Sequence, residues 1–301
     1  MSQVVSSRKI AVGLLFAVLL WSTEFVGVSQ ALHDFSPGAL AFGRYLFTSL
    51  FMLVVYSRQK KRTRPTLREC LIFWLLGAIG IAGYSIGLNF GELTVSSGTA
   101  SFVVSQMPIV MAILGLVFLG ERITPLMTAG MLLGCVGIVL ISYDGLDLYH
   151  FERGLLYVIF ATLGACIYSV MQKPFLERYS AIEFTAFMVW GGTLTMGLFY
   201  LPATFRELPQ AHWDGLISLI YLGIFPAGVA YLIWAYAIAR YPVAKAGSYL
   251  YLSPLIATVL AFLYLGEVPR PLALLGGAIA LLGAMLVNIR PRRQFQAQPV
   301  E

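Results

Sequence analysis

The chain has 301 residues, of which 59% are apolar and 11% charged, and its formal net charge is +6. Soluble domains are nearer to half apolar and a quarter charged. The mean hydropathy of +0.82 therefore excludes a soluble enzyme, a nucleic-acid-binding protein and a secreted disulfide-rich domain as starting hypotheses. Because one membrane-spanning helix takes about 20 apolar residues, the composition accommodates roughly ten spans and leaves little for a soluble domain.

Hydropathy divides the chain into ten apolar segments. They are too long for membrane strands, and helices satisfy their own backbone hydrogen bonds without water. The first segment follows Arg8 and Lys9 and has no clear cleavage site, so we interpret it as an uncleaved span and not as a signal peptide. The predicted spans are residues 10–31, 37–57, 71–91, 96–118, 124–142, 154–173, 182–201, 213–235, 243–265 and 271–289.

Lysine and arginine are distributed unevenly between the two sets of connections. If the N-terminus is cytoplasmic, 16 of the 20 basic residues lie on the cytoplasmic side, three lie outside, and Arg44 lies within a span. Basic residues favour cytoplasmic loops, so this split predicts that both termini are cytoplasmic. We interpret the most basic connection, residues 57–70, as a topology determinant, with binding of anionic lipid head groups as the alternative.

Part of the chain repeats itself at a distance of 146 residues. Leu119-Gly120-Glu121 recurs as Leu265-Gly266-Glu267, and the residues that recur around it are Ala100 as Ala246, Pro108 as Pro254, Leu114 as Leu260, Pro125 as Pro271, Gly130 as Gly276 and Gly137 as Gly283. Each unit holds five predicted spans, so the second copy enters the membrane from the opposite side. Inverted repeats are typical of transporters. We predict repeats at residues 1–145 and 150–291 and a short cytoplasmic tail at 292–301.

The repeated pattern Pro108…Leu119-Gly120-Glu121…Pro125…Gly130…Gly137 resembles the EamA domain of the drug/metabolite transporter superfamily. Trp21-Ser22 and Arg44 also resemble the opening helices of that family. The resemblance implies an all-α integral membrane fold of ten helices, with a central cavity lined by helices 1, 3, 4, 6, 8 and 9 and with helices 5 and 10 in peripheral packing roles. It further implies a likeness to bacterial exporters of amino acids and metabolites. Glu24 departs from the family pattern, which has an uncharged polar residue there.

Glu24 and Arg44 are charged residues at similar depths in the first and second predicted spans. An ionisable group inside a span marks a transport pathway or a proton relay. Two interpretations are open. Glu24 either binds a proton or a substrate ammonium group, or forms a static bridge with Arg44 that neutralises both charges.

Pro108 and Pro254 interrupt the fourth and ninth spans at equivalent places. Each proline lacks an N–H group and frees the carbonyl four residues earlier. Paired interruptions in two repeats indicate the binding site of a transporter, with a purely structural kink as the alternative.

Aromatic, hydroxyl and amide side chains lie at the same depths as these prolines. A tyrosine or tryptophan in the middle of a span needs a partner for its polar atom, so it faces protein or water more readily than lipid. This set favours a medium-sized, partly apolar solute that is uncharged or zwitterionic. The candidate cavity residues are Glu24, Tyr84, Ser105, Gln106, Tyr168, Tyr231, Trp234, Tyr249 and Tyr251.

The sequence argues against catalysis. The three histidines fall in predicted outer loops, and HExxH, GxSxG and metal-ligand clusters are absent, so we expect no catalytic residue and no metal. Without a nucleotide-binding motif we expect no cofactor and no drive by ATP. Proton antiport, exchange and uniport stay open, as does the oligomeric state.

We therefore predict a carrier of a bacterial-type cytoplasmic membrane that exports a small metabolite, such as an amino acid, by alternating access. A passive channel is one alternative, and a carrier of nucleotide sugars or organic cations is another. The expected partners are the solute and the lipid bilayer, and no nucleic acid.

Overall fold

The computed structural model describes residues 7–91, 93–95, 97–142, 153–256, 259–260 and 271–289. Within these ranges the chain is helical and contains no β-strand. The helical segments that are long and apolar enough to cross a membrane are Pro37–Ser57, Leu67–Gly91, Phe102–Leu119, Arg153–Phe175, Ala181–Gln210 and Trp213–Ile238, and the shorter apolar helices are Pro125–Ile141 and Leu274–Asn288. The predicted all-α class is confirmed for this part of the chain, and the count of ten spans stays a prediction.

Most helices lie within a few residues of the predicted spans. In chain order they are α1 (Ser7–Ser22), α2 (Glu24–Ala31), α3 (Pro37–Ser57), α4 (Leu67–Gly77), α5 (Tyr84–Gly91), α6 (Ser97–Val104), α7 (Met107–Leu119), α8 (Pro125–Ser142), α9 (Arg153–Phe175), α10 (Ala181–Glu207), α11 (Trp213–Ile224), α12 (Tyr231–Ile238), α13 (Val243–Gly247) and α14 (Pro271–Asn288). Three predicted features lie outside the described residues. They are the boundary between the repeats, the end of the ninth span with Leu265-Gly266-Glu267, and the tail at 292–301.

The sequence predicts the first span as one continuous helix, whereas the structure divides it at Thr23 into α1 and α2. The Thr23 hydroxyl donates to the carbonyl of Leu20 at 2.7 Å and forms a hydrogen bond of 2.6 Å with the hydroxyl of Tyr221. The neighbouring Ser22 hydroxyl donates to the carbonyl of Val18. Such side-chain bonds to the preceding turn bend helices, which accounts for the break.

Local sequence signals set where several other helices begin and end. The Thr66 hydroxyl accepts from the backbone N–H of Glu69, and this capping box starts α4 before the predicted residue 71. Ser180 makes the same kind of box for α10. Gly120 has φ of 63°, a left-handed conformation that favours glycine, and it ends α7. The glycine of the repeated Leu-Gly-Glu motif thus stops the helix just before Glu121.

The connections between helices gather at two ends of the bundle. The α3–α4 and α9–α10 connections lie together, because Arg178 Nη1 is 2.6 Å from Glu69 Oε1. The α2–α3 and α10–α11 connections lie together at the other end, because the Ser36 hydroxyl donates to Glu207 at 2.9 Å. We call the first the basic end, since it carries the Lys- and Arg-rich residues 57–70. We call the second the acidic end, since it carries Asp34 and Glu207.

A histidine and a carboxylate also meet at the acidic end. His212 Nδ1 lies 2.6 Å from Asp34 Oδ1, which joins the start of α11 to the α2–α3 connection. This hydrogen bond raises the pKa of His212 above its ordinary value and lowers the pKa of Asp34. The contact therefore couples two connections through a pair whose charges depend on pH.

Helices α8 and α14 pack along each other through four glycines. A Cβ atom on Gly130 would lie 2.7 Å from the carbonyl oxygen of Gly283, and one on Gly137 would lie 2.6 Å from that of Gly276. Small residues let helix backbones approach this closely. Because Gly130 corresponds to Gly276 and Gly137 to Gly283 in the repeat, each glycine meets the counterpart of the other. Such reciprocal contacts are the pattern of a two-fold axis.

Candidate functional site

A cavity with a volume of about 100 Å³ lies between the helices. It extends from Val28 and Leu88, each about one turn from the acidic end of its helix, to Trp234 and Leu250. Its wall comes from predicted spans 1, 3, 4, 6, 8 and 9, the same six that the family resemblance implies. The lining residues are Trp21, Glu24, Val28, Tyr84, Leu88, Val104, Ser105, Met107, Ala165, Tyr168, Ser169, Tyr231, Trp234, Leu250 and Ser253.

The fourth span is interrupted where it meets the cavity. Helix α6 ends at Val104, and α7 begins at Met107 with Pro108 in its first turn. Proline is favoured at this position because it has no N–H group to leave unpaired. The interruption therefore falls on Ser105 and Gln106, just before the proline, and Ser105 lines the cavity. In the ninth span, Pro254 follows the cavity-lining Ser253 at the end of the 3₁₀ segment Ser248–Leu252.

Two π-helical segments occupy equivalent places in the two halves. Ala78–Gly83 joins α4 to α5, and Phe225–Ala230 joins α11 to α12. Each segment ends directly before a tyrosine that lines the cavity, Tyr84 in the first half and Tyr231 in the second. A π-helical turn widens the helix by one residue and is frequent at functional sites. The widened turns therefore set which face of each helix the tyrosine occupies.

Glu24 and Arg44 form an ion pair at the edge of the cavity. Arg44 Nη1 donates to Glu24 Oε1 at 2.5 Å, and the exposed fractions of the side chains are 2% for Arg44 and 13% for Glu24. Glu24 lines the cavity, whereas Arg44 lies behind it on α3. Since a buried charge without a partner is strongly unfavourable, Glu24 neutralises Arg44 and at the same time presents its carboxylate to the cavity.

Trp21 organises the aromatic wall. Its ring packs edge-on against Tyr231 at 5.7 Å and against Trp234 at 5.3 Å between centroids. Its indole N–H donates to the carbonyl of Pro226 at 3.1 Å, within the second π-helical segment. The ring of Tyr168 lies 6.0 Å from that of Tyr231. Edge-to-face aromatic contacts and a satisfied indole hold this wall in a defined shape, as a selective cavity requires.

Hydroxyl groups are placed at the same wall. The Ser22 hydroxyl lies 3.1 Å from the hydroxyl of Ser253 and so bridges the first and ninth spans. Tyr168 is 2% exposed, and its hydroxyl has no hydrogen-bond partner among the residues that the structure describes. A buried hydroxyl without a partner is costly, so a solute that pairs with Tyr168 would gain that bond at little cost.

Comparison with known proteins identifies the family. The profile described as "EamA-like transporter family" matches residues 8–143 and matches again at residues 152–289. The chain belongs to the EamA-like transporter family. It is a multi-pass membrane transporter, and the double match falls on the two halves in which the sequence repeat lies.

Several relatives of this EamA-like chain span nearly its whole length. A "probable terminal-alkyne amino-acid exporter" of Streptantibioticus cattleyicolor is 34% identical over 95% of this chain and 96% of the relative. The transporter YdfC of Bacillus subtilis is 32% identical over 96% and 92%. A "probable amino-acid metabolite efflux pump" of Escherichia coli is 24% identical over 94% and 95%. One crystal structure, 20% identical, covers 93% of this chain and 96% of its own with a TM-score of 0.78, which shows a shared fold.

The structure brings together only some of the predicted site residues of this EamA-like transporter. The residues at the cavity wall are Glu24, Tyr84, Ser105, Tyr168, Tyr231 and Trp234. Gln106 instead points toward α8, where its side-chain carbonyl accepts from Cys135 Sγ at 3.2 Å. Tyr249 does not line this cavity. The buried ring of Tyr251 packs against Gly134, since a Cβ atom on Gly134 would lie 2.6 Å from it.

Other wall residues were not among those predicted. They are Trp21, Val28, Leu88, Val104, Met107, Ala165, Ser169, Leu250 and Ser253. Trp21 had a signal in its resemblance to the opening helix of the EamA family. Ser253 had one as the polar residue just before Pro254. The apolar members carried no signal, because a leucine or valine facing a cavity looks the same in sequence as one facing lipid.

Proposed function

We propose that this EamA-like transporter is a secondary carrier that exports a small solute without net charge, such as an amino acid or a similar partly apolar metabolite, by alternating access. The observation that carries the proposal is the charge balance of the cavity. Among the lining residues that the structure describes, Glu24 is the one that carries a charge, and Arg44 neutralises it from behind. A solute with net charge would leave that charge uncompensated in a medium of low dielectric constant.

The wall offers a complementary group for each part of an apolar amino acid. The Glu24 carboxylate suits an ammonium group, and the rings of Trp21 and Tyr231 suit an apolar side chain. The unpartnered hydroxyl of Tyr168 suits an oxygen of a carboxylate. Phosphate groups would need a cation in the wall. Nucleotide sugars and organic phosphates are therefore less suitable solutes.

We further propose ten spans in two inverted repeats, with both termini in the cytoplasm of a bacterial-type cell. The reciprocal glycine contacts between α8 and α14 support a two-fold relation between the halves. The excess of lysine and arginine at the basic end supports its placement in the cytoplasm. Export is supported by the exporter and efflux-pump relatives of similar length.

An organic cation is the second candidate solute, and Glu24 is the observation that favours it. A cation would compete with Arg44 for the carboxylate and stack on the aromatic wall. A passive facilitator for the same solutes is the alternative mechanism. The candidate solutes differ in which ligands the protein binds. The two mechanisms differ in counterflow, because in a carrier the solute on one side of the membrane accelerates transport of solute from the other side.

The test is a thermal-shift screen of the purified protein against apolar amino acids, organic cations, sugars, nucleotide sugars and organic phosphates, followed by counterflow in proteoliposomes. We expect apolar amino acids to raise Tm and to show saturable counterflow. Ala165→Phe, which fills the cavity, should abolish the shift, whereas Leu163→Phe, on an exposed face of α9, should retain it. Stabilisation by nucleotide sugars or organic phosphates alone would overturn the proposed substrate class, and non-saturable flux would overturn the carrier.

A further inference from the structure

Glu121, Lys173 and the backbone N–H of Val243 join three elements at the basic end. The Glu121 carboxylate is ion-paired with Lys173 at the end of α9. The same carboxylate accepts from the N–H of Val243, at 2.8 Å and 3.0 Å for its two oxygens, at the start of α13. Lys173 also donates to the carbonyl of Tyr241 at 3.0 Å. We call this set the basic-end latch.

An apolar cluster separates the latch from the cavity. Its fully buried members come from α1, α7, α9, α12 and α13, and they are Leu14, Met111, Cys166, Val170, Ile238, Val243 and Ala246. Val170 follows the cavity-lining Ser169 and precedes Lys173 by three residues on α9, and Val243 belongs to the latch itself. The cluster and the latch therefore lie between the cavity and the basic end.

The latch is suited to break and form repeatedly. The exposed fractions of the side chains are 27% for Lys173 and 13% for Glu121, so water solvates both charges as soon as they part. Arg44, a cation with an exposed fraction of only 2% in its pair with Glu24, would lose far more on separation. The latch also uses the glycine stop of the repeated motif, since Gly120 ends α7 just before Glu121.

We propose that Glu121 and Lys173 are gating residues, whose contact with the start of α13 holds the basic end of the cavity closed and is released when that end opens. They act by positioning α7, α9 and α13, and neither residue is among those that line the cavity. This inference rests on the proposed carrier function. It goes beyond that function by naming which contact controls one of the two openings.

The experiment measures the accessibility of the apolar cluster, and it needs no knowledge of the solute. In a background with Cys70→Ser, Cys135→Ser and Cys166→Ala, Val170→Cys places a single thiol in the cluster. Its rate of labelling by a water-soluble maleimide is measured in nanodiscs. Glu121→Gln and Lys173→Met are compared with Lys173→Arg, which keeps the cation, and with Glu177→Gln, which removes an exposed carboxylate near the same end.

We expect Glu121→Gln and Lys173→Met to label about tenfold faster than the parent, as a shifted equilibrium between closed and open states requires. Lys173→Arg and Glu177→Gln should label at the parental rate. Parental labelling in both latch variants, with parental Tm and elution volume, would overturn the inference, as would equally fast labelling in Glu177→Gln.

A latch variant that does not fold is replaced by Glu121→Asp, which keeps the charge and shortens the reach to Val243. Labelling between the rates of the parent and of Lys173→Met supports the latch, and a parental rate contradicts it. If no solute from the screen is transported, the proposed function fails while the labelling result stands. If transport is observed and labelling does not respond, only the latch fails.

Discussion

The carboxylate of Glu24 lies 2.5 Å from the guanidinium of Arg44, and only the carboxylate reaches the cavity wall. The pair is therefore asymmetric. A solute ammonium group or a proton competes with Arg44 for Glu24, while Arg44 depends on Glu24 for its neutralisation. Removing one partner is consequently different from removing both.

The first prediction concerns the stability of this pair. Glu24→Gln should lower the free energy of unfolding by about 3 kcal/mol, because it leaves the enclosed Arg44 charge uncompensated. The double variant Glu24→Gln with Arg44→Met should recover most of that loss, since neither charge is then buried. Thermal melts of the purified variants measure both effects. A double variant no more stable than Glu24→Gln would show that the ion pair is not the source of the loss.

The second prediction distinguishes the two roles of Glu24 in transport. If Glu24 is a static bridge, Glu24→Gln should slow transport about tenfold at every pH and leave the shape of the pH profile unchanged, because no proton step is removed. Solute counterflow across the pH range gives the profile, with Glu177→Gln as the control. A profile that becomes flat in Glu24→Gln would instead assign proton coupling to this carboxylate. Parental transport and a parental profile would contradict both roles.

The third prediction uses the unpartnered hydroxyl of Tyr168. Tyr168→Phe should leave Tm unchanged or slightly higher, because it removes a buried polar atom that lacks a partner in the described structure. It should weaken solute binding about fivefold, since the solute loses one hydrogen bond. Tyr236→Phe, whose ring does not line the cavity, is the control and should bind as the parent does. Parental affinity in Tyr168→Phe would remove this hydroxyl from the binding site.

The fourth prediction concerns the packing of α8 against α14. Gly130→Ala should lower stability by about 2 kcal/mol, because its Cβ would meet the backbone of Gly283 and Val287 within 2.9 Å. Gly247→Ala is the matched control, since its nearest contact is 3.5 Å, an ordinary van der Waals distance. Chemical denaturation in detergent compares the two. Equal stability of both variants would contradict the close approach of these helices.

The fifth prediction concerns pH at the acidic end. The hydrogen bond to Asp34 raises the pKa of His212 above 6.5, and the bond from His212 lowers the pKa of Asp34 below 3.8. The stability that His212 contributes is complete below pH 6.5 and is lost as the pH rises through its raised folded-state value. The contribution of Asp34 is present above pH 3.8 and is lost as the pH falls through its lowered value.

Two nearby groups complete that calculation. Asp214 also favours the protonated form of His212, and His33 favours the ionised form of Asp34. We therefore expect the parental Tm to fall from about pH 6 to about pH 9 relative to that of His212→Gln, which lacks the titrating group. His33→Gln should keep the parental trend. A constant difference between parent and His212→Gln across this range would contradict the prediction.

The sequence predicted features that depend on the identity of a residue and its depth in a span. Tyr84, Tyr168 and Tyr231 lie at the cavity, as expected of tyrosines that need a polar environment for the hydroxyl within a membrane. The pairing of Glu24 with Arg44 was one of two open interpretations, and the geometry shows the contact. Gly130 and Gly276 recur in the internal repeat, and both lie in the close contact between α8 and α14.

The sequence did not predict features that depend on local changes in helical twist. In the 3₁₀ segment Ser248–Leu252, residues three apart share a face, so Leu250 and Ser253 line the cavity and Tyr251 turns toward Gly134. The π-helical segments change the face of α5 and α12 by an extra residue in the turn. Hydropathy averages over such turns and treats every span as a uniform α-helix.

The four glycines between α8 and α14 also restrict how the two halves of the chain can evolve. After an internal duplication each copy is free to drift wherever its side chains meet only lipid. At Gly130, Gly137, Gly276 and Gly283, however, any larger residue in one copy meets the main chain of the other, which no substitution can make smaller. A substitution of one of these glycines is therefore unfavourable even when the other copy is unchanged. We expect the two copies to keep the ancestral residue along this line of contact longer than elsewhere.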